Sequence, residues 1–346
     1  MSNANAVSPL RAMPLIKMTL KAGKVPYLKS SPGIGKSAMT AEIAKEWNLE
    51  LIDHRISTSA PTDLTGLPEI VNGRSRFNPF DFFPIAGLDE VPKGKNGWLL
   101  FLDEFNSGTK AVLAAAYKLV LDRMVGQYKL HPHVAIVCAG NRDTDRAITT
   151  SIGTAMQSRL TTYNIELNND EFINHIMIKQ NWDDRVIAYL SSEPNKINDF
   201  RPDHSDDTFC CPRTWDSFQQ QIKGEQVTRQ HLPLAAGTIT SGVAADFFTF
   251  LEVYQDMPKF DDVLREPNSY PIPTNPQLKW ATVSSFSQKV NKKNFVPLAT
   301  YIGRFDMTFQ VLFFRMTLPN NPELRELPEF GPIAVKFAKY MFDAVS

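Results

Sequence analysis

The chain has 346 residues, 43% of them apolar and 21% charged, with 37 basic residues balanced by 37 acidic ones. That length accommodates one large domain or two or three smaller ones, and the balance supplies no global field that would draw the whole protein to DNA or to an anionic membrane. No stretch approaches the ~18 uninterrupted apolar residues of a membrane span, and the N-terminal segment around Arg11 and Lys17 lacks a continuous signal-peptide core.

In chain order, short apolar runs alternate with helical patterns through the first half, which predicts α/β architecture with a parallel sheet and helices on its faces. Strands are expected at Val25 to Lys29, Leu49 to Ile56, Trp98 to Leu102, Val134 to Ala139 and Thr162 to Leu167. The third and fourth are nearly all apolar, as strands buried on both faces are. Helices are expected from Ser37 to Trp47 and from Thr109 to Arg123, the latter with Leu113, Ala116, Tyr117, Val120 and Leu121 at helical spacing. Residues 61 to 97 interrupt the alternation with a Pro- and Gly-rich insertion, and long insertions in compact domains are more often functional than idle.

After Leu167 the pattern changes to helices separated by polar, Pro-rich loops. Helical segments are expected around Asp183–Leu190, Trp215–Ile222, Gly242–Tyr254, Phe295–Leu318 and Ile333–Val345. The longest loops are expected at Glu193 to Arg213 and Met257 to Pro276. Of three cysteines, Cys210 and Cys211 are adjacent and Cys138 lies in an apolar run, which is neither a disulfide framework nor zinc spacing. A reducing cytoplasm is the expected location.

The residues that carry chemistry begin with Ser30-Ser31-Pro32-Gly33-Ile34-Gly35-Lys36-Ser37-Ala38. It reads as a P-loop, G-x-x-x-x-G-K-[ST], between a strand and a helix, with Ser30 standing where the pattern has its first glycine. Gly33 and Gly35 let backbone N–H groups turn toward phosphate oxygens, and the following helix aims its positive end at them. Lys36 would reach the β- and γ-phosphates, and the Ser37 hydroxyl would coordinate Mg²⁺. Trp98-Leu99-Leu100-Phe101-Leu102-Asp103-Glu104 is an apolar strand ending in two carboxylates, at the sheet edge where open α/β folds bind ligands. Asp103 would hold the Mg²⁺ shell, and Glu104 would orient and polarise a water.

Three further positions stand out. Asn141, at the tip of the Val134–Ala139 strand, either hydrogen-bonds a γ-phosphate and the lytic water or simply opens a turn. Arg159, before the last strand, can point out of the domain to serve a neighbour's phosphates or sit as a surface arginine, with Arg142 and Arg146 as competitors for the same role. Arg213, in Pro212-Arg213-Thr214-Trp215 at a helix start, either reaches back to a nucleotide or is a plain first-turn arginine.

In order and spacing these elements resemble the MoxR-type AAA+ ATPases over roughly residues 10 to 250. The P-loop, Leu-Phe-Leu-Asp103-Glu104-Phe-Asn106 and Ala-Gly-Asn141 match the family's Walker A, Walker B and sensor 1. Ser158-Arg159-Leu160 sits where the family carries its finger arginine, with Leu160 where Phe is commoner, and Pro212-Arg213 matches sensor 2. Asp63-Leu64-Thr65-Gly66 resembles the family's Asp-x-x-Gly element. The hairpin-like Met124 to Leu130 falls where that clade inserts a β-hairpin.

The resemblance implies an AAA+ core over residues 1–167, with an insertion at about 66–97 and a hairpin at about 123–134. A helical lid over 168–254 and a C-terminal helical extension over 255–346 would follow. It further implies ATP and Mg²⁺ as ligands, a homohexameric ring with ATP between subunits, and ATP hydrolysis coupled to remodelling of a protein client. A von Willebrand factor A domain protein is a common companion in that family. Two other classes remain open on sequence: a nucleic-acid-linked motor, and a non-hydrolysing nucleotide switch or scaffold. The zero net charge and intact Asp103 and Glu104 argue against them.

Overall fold

Two runs, Trp98 to Asp103 and Val134 to Gly140, are apolar on both faces, and a strand of that kind is satisfied only between neighbours with helices above and below. The computed structural model, which describes residues 6–145, 150–319, 321–332 and 335, builds the first half of the chain around them. Its strands are β1 (Ala6–Val7), β2 (Val25–Lys29), β3 (Glu50–Arg55), β4 (Leu67–Val71), β5 (Arg74–Asn78), β6 (Trp98–Asp103), β7 (Met124–Val125), β8 (Tyr128–Lys129), β9 (Val134–Gly140) and β10 (Leu160–Ile165). Six of them form a parallel sheet in the order β1-β10-β2-β9-β6-β3.

The helices of this half are α1 (Pro9–Lys21), α2 (Lys36–Glu46), α3 (Pro61–Thr65), α4 (Lys110–Tyr117) and α5 (Gly153–Gln157). Alternation along the strands sorts side chains between two cores. Leu28, Leu99, Phe101, Val137 and Ala139 pack under α1 and α2, against Ile16, Met39 and Ile43. Tyr27, Leu100, Leu102, Ile136 and Cys138 face the other way, toward Val112, Leu113 and Ala116 of α4. β6 is buried along its first five residues, whereas the edge strand β3 alternates exposed and half-buried positions.

The expected strands are all present, Val25–Lys29 with the ends expected of it and the other four with ends shifted by one or two residues. β10 starts at Leu160, two residues before the expected start, and stops at Ile165, two residues before the expected end. The helix expected from Thr109 to Arg123 is α-helical only over Lys110–Tyr117, with Thr109 as its N-cap accepting from Val112 N–H. Its continuation, Lys118–Asp122, is wound as a π-helix and ends at Arg123 in a left-handed conformation. The insertion carries an antiparallel hairpin, β4–β5, and a second hairpin, β7–β8, spans Met124 to Lys129.

Contacts divide the chain into two compact units, one of residues 1–168 with 201–204 and one of 169–200 with 205–346. The second unit is helical. Trp215, Phe218, Phe247 and Tyr189 form its aromatic centre through edge-on contacts such as the 5.3 Å pair of Phe218 and Phe247. Such pairs add to the stabilisation that their buried area already supplies. Residues beyond 254 share this unit with those before: helix Pro276–Gln288 lies along helix Asp184–Ser192, and Ser284 Oγ donates to the Asp184 carbonyl at 3.2 Å.

The segment expected as one helix from Phe295 to Leu318 is two, Phe295–Ile302 and Met307–Thr317, broken where Asp306 adopts an extended N-cap conformation. The expected loop between Met257 and Pro276 contains a helix, Phe260–Arg265. The expected terminal helix Ile333–Val345 lies almost wholly outside the described residues.

Phe101 is 1% exposed in the centre of the sheet. Phe101→Ala should cost about 3–5 kcal/mol of stability through lost burial and the cavity left behind. Urea unfolding followed by tryptophan fluorescence checks this, and a midpoint unchanged from the parent would mean that β6 is not buried against α1 and α2.

Candidate functional site

In a parallel sheet the strands all end at the same edge, so adjacency in the sheet decides which loops meet. β9 lies between β2 and β6, with Lys29 opposite Gly140 and Leu102 opposite Cys138. The chain order reverses here, since the strand following β6 is inserted beside β2, and such switch points are where open α/β sheets bind ligands. The loop after β2, the carboxylates after β6 and Asn141 after β9 therefore converge although they are far apart in sequence.

The loop between β2 and α2 turns through two left-handed glycines, Gly33 at φ 77° and Gly35 at φ 107°. A Cβ at Gly35 would meet nothing within 4 Å, so the backbone conformation, not lack of space, is what calls for glycine there. Gly35 caps α2 without a side-chain bond. The N–H groups of the first turn, among Lys36, Ser37 and Ala38, have no intrahelical acceptor, which is the arrangement that binds anions. Pro32 and Ile34 complete the loop, with Ile34 buried in the α1–α2 core.

Lys36 Nζ donates to Ser30 Oγ at 2.9 Å, Ser30 O at 3.1 Å, and Ser31 O and Asn141 Oδ1 both at 3.4 Å. Ser37 Oγ donates to Asp103 Oδ2 at 3.3 Å. A hydroxyl and a carboxylate oxygen side by side next to an anion-binding loop suit Mg²⁺, which takes few protein oxygens and completes its shell with water and phosphate. Among the described residues there is no cluster of three or more His, Cys, Asp or Glu that would hold a metal by protein ligands alone. Burial first, and then the Asp103 carboxylate, push the Asp53 carboxyl above its ordinary range, while Arg55 and His54 pull it down.

Glu104 adopts a left-handed conformation at φ 51°, uncommon for a residue with a side chain. Its carboxylate accepts a hydrogen bond from Ser57, in the turn that follows β3. Ser57 was not legible as a site residue, because its approach to Glu104 depends on β3 lying beside β6 with Arg55 opposite Asp103.

Asn106, part of the strand-end motif in the sequence, is 2% exposed and clamps Asn141 on both sides. Its Nδ2 donates to Asn141 O at 2.9 Å, and its Oδ1 accepts from Asn141 N–H at 3.1 Å. The clamp requires glycine just before Asn141: a Cβ at Gly140 would lie 2.3 Å from Asn106 Oδ1 and 2.5 Å from the Tyr27 hydroxyl. Lys29 adds a tie across the same strand ends through its 3.0 Å ion pair with Asp143.

The arginines fall in different places. Arg159 is exposed at the start of β10, where Leu160 pairs with Val25. It thus lies at the opposite sheet edge from the loop after Lys29, separated by the length of β2, roughly 13–17 Å at the usual rise per residue. Its Nη1 donates to the Ala155 carbonyl at 3.0 Å. Arg142, by contrast, follows Asn141 and bonds Ile165 O at 3.1 Å and Glu166 at 3.3 Å. Arg146 lies outside the described residues. Arg213 belongs to the second unit, exposed in the first turn of helix Pro212–Ile222.

A cavity of about 510 Å³ opens on the α4 side of the same edge, lined by Tyr27, Lys29, Asn106 and Asp143 among others, not by the glycine loop. Among the described residues no helix is long and apolar enough to cross a membrane, and all three cysteines are buried and unpaired.

No protein-family model matches the chain, and no curated protein matches it. Among solved structures, a single-residue variant of Thermotoga maritima RuvB is similar at 16% identity, covering 76% of this chain and 77% of that one with a TM-score of 0.40. A Cytophaga hutchinsonii protein is similar at 12% identity over 90% of this chain and 81% of its own, with a TM-score of 0.35. A second Thermotoga maritima RuvB variant is similar at 15% identity over 82% and 81%, also with a TM-score of 0.35.

Removing the Asn106 amide leaves the Asn141 N–H and C=O without their partners, at about 1–3 kcal/mol for each buried group left unpaired. Asn106→Ala should therefore lower the urea midpoint clearly. Asn106→Asp, which keeps the acceptor but sets a carboxylate against the Asn141 carbonyl, should do no better. Parental stability in both variants would show that the clamp contributes nothing.

Proposed function

We propose that this chain is an AAA+ ATPase of the MoxR type that hydrolyses Mg·ATP between subunits of a homo-oligomeric, in the family's manner hexameric, ring. The observation that carries the reading is the meeting at one sheet edge of Lys36 with Asn141 and of Ser37 with Asp103. A phosphate cradle, a hard-cation site and a carboxylate for water thus adjoin one another.

On this reading the loop N–H groups and Lys36 bind the β- and γ-phosphates, and Ser37 and Asp103 hold Mg²⁺. Mg²⁺, held there by Ser37 and Asp103, would supply neutralisation of charge on the phosphates. Glu104 orients the attacking water and polarises it, and Asn141 hydrogen-bonds the water and the γ-phosphate. Water attacks the γ-phosphorus in line as the bond to the β–γ bridging oxygen breaks. ADP leaves with that oxygen, and the water's protons pass to the released phosphate and to solvent. Charge developing on the transferred group is met by Lys36 within the subunit and by Arg159 from the neighbour. Arg159 lies too far along β2 to serve its own loop, which favours action in trans. Arg213 acts from the helical unit as sensor 2.

The coupled work is remodelling of a protein client, with a von Willebrand factor A domain protein as the expected companion. The β4–β5 hairpin, with Ile70 77% exposed and Leu67 and Phe77 also out in solvent, offers apolar surface for such a client.

Glu104→Gln should bind Mg·ATP as the parent does while turnover falls at least about a hundredfold, the usual range for loss of a positioned base. Parental steady-state hydrolysis by that variant contradicts the role of Glu104.

The trans arrangement has its own test. Arg159→Ala should leave nucleotide binding to isolated subunits nearly unchanged and cut turnover on the order of 10³ to 10⁵. Mixed with Lys36→Ala subunits, after exchange verified by labelled subunits, it should regain activity at interfaces that combine the intact halves. Arg142→Ala and Arg146→Ala belong in the same assay. No recovery despite exchange, or parental hydrolysis by Arg159→Ala alone, removes Arg159 from the role.

A further inference from the structure

The departure at Ser30 is not silent. A lysine ammonium has three N–H donors and no acceptor, and four protein oxygens surround that of Lys36 within 3.4 Å. The shortest contact, 2.9 Å, is to Ser30 Oγ, the atom that a glycine at this position would lack. The hydroxyl is oriented to accept: its own proton goes to Ser31 O at 2.8 Å, which leaves its lone pairs toward Lys36. Ser30 is completely buried, so this hydroxyl is shielded from water that would otherwise compete for it.

To bridge two phosphate groups Lys36 has to redirect two of its three donors. The backbone carbonyl of Ser30 remains available as the third partner, as it would with any residue at position 30. The hydroxyl is then an acceptor that has lost its donor in a dry site, and hydrogen bonds to charged groups are among the stronger ones. We propose that Ser30 is a positioning residue that draws Lys36 back onto the loop, toward Asn141, and so weakens capture of the β- and γ-phosphates. This rests on the phosphate-binding reading above. The effect is a raised nucleotide threshold: the loop yields its lysine to phosphate only at higher ATP concentration.

The test is calorimetric titration of the full chain and its Ser30→Ala and Ser30→Gly variants with Mg·ATP, Mg·ADP and AMP. Loss of the hydroxyl should tighten ATP and ADP binding about tenfold, which corresponds to about 1.4 kcal/mol, at the lower end for a hydrogen bond to a charge. AMP, which has no β- or γ-phosphate, should bind both variants as it binds the parent. Agreement between alanine and glycine assigns the gain to the hydroxyl and not to loop flexibility, which glycine alone would increase. If Ser30→Ala binds ATP no more tightly than the parent, or if AMP gains equally, the inference is overturned while the ATPase reading stands. Should Ser30→Ala not fold, the glycine variant decides by the same criteria. If neither parent nor variants bind ATP, both the reading and the inference fall.

Discussion

Parallel pairing of β2, β9 and β6 is the constraint on which the rest depends. Three stretches separated by tens of residues, ending at Lys29, Asp103 and Gly140, stop at the same edge because the strands run side by side in the same direction. That pairing is held from both faces. Phe101 and Val137 enter the core beneath α1 and α2, while Leu102 and Cys138 enter the one beneath α4. Removing either layer would expose apolar strand surface, at roughly 25 cal/mol per Å², and would loosen the edge where the polar groups meet. The apolar character of β6 and β9 is thus a condition for placing Lys36, Ser37, Asp103 and Asn141 within reach of one another.

Above that scaffold the polar groups support each other directly. Asn106 clamps the backbone of Asn141, Asn141 accepts from Lys36, and Ser37 donates to Asp103. Glu104 is turned by its left-handed backbone toward Ser57 on the neighbouring edge. A residue in that conformation costs free energy that the surrounding fold has to supply, and such strain concentrates where a side chain must be aimed. On the proposed reading, it aims the carboxylate that handles water. Linked partners of this kind support one another, so removing one affects the rest.

Much of this was legible in residue order. The apolar runs of β6 and β9, the glycines around Lys36 and the carboxylates after Leu102 carry their meaning locally, through strand burial and backbone conformation. What lay hidden depends on neighbours across the sheet. Ser57 meets Glu104 only because β3 pairs with β6, and the role of Asn106 needs β9 beside β6. β1 has only two residues, too few for any periodicity, and is defined by its pairing with β10. α1 carries start signals in Ser8 and Pro9, and also Pro14 inside it, a residue that ordinarily breaks a helix. Helix Phe260–Arg265 was obscured by the prolines and polar residues on either side.

On the proposed reading, the glycine loop after β2 holds the phosphates of ATP through Lys36. Equilibrium titration of Mg·ATP into the parent protein and into Lys36→Ala, followed by calorimetry, tests it most directly. The account predicts a saturable isotherm for the parent and an affinity at least a hundredfold weaker for the variant, with the variant still folded by circular dichroism. An isotherm that is the same for both proteins, or a parent that does not bind Mg·ATP at all, would contradict it.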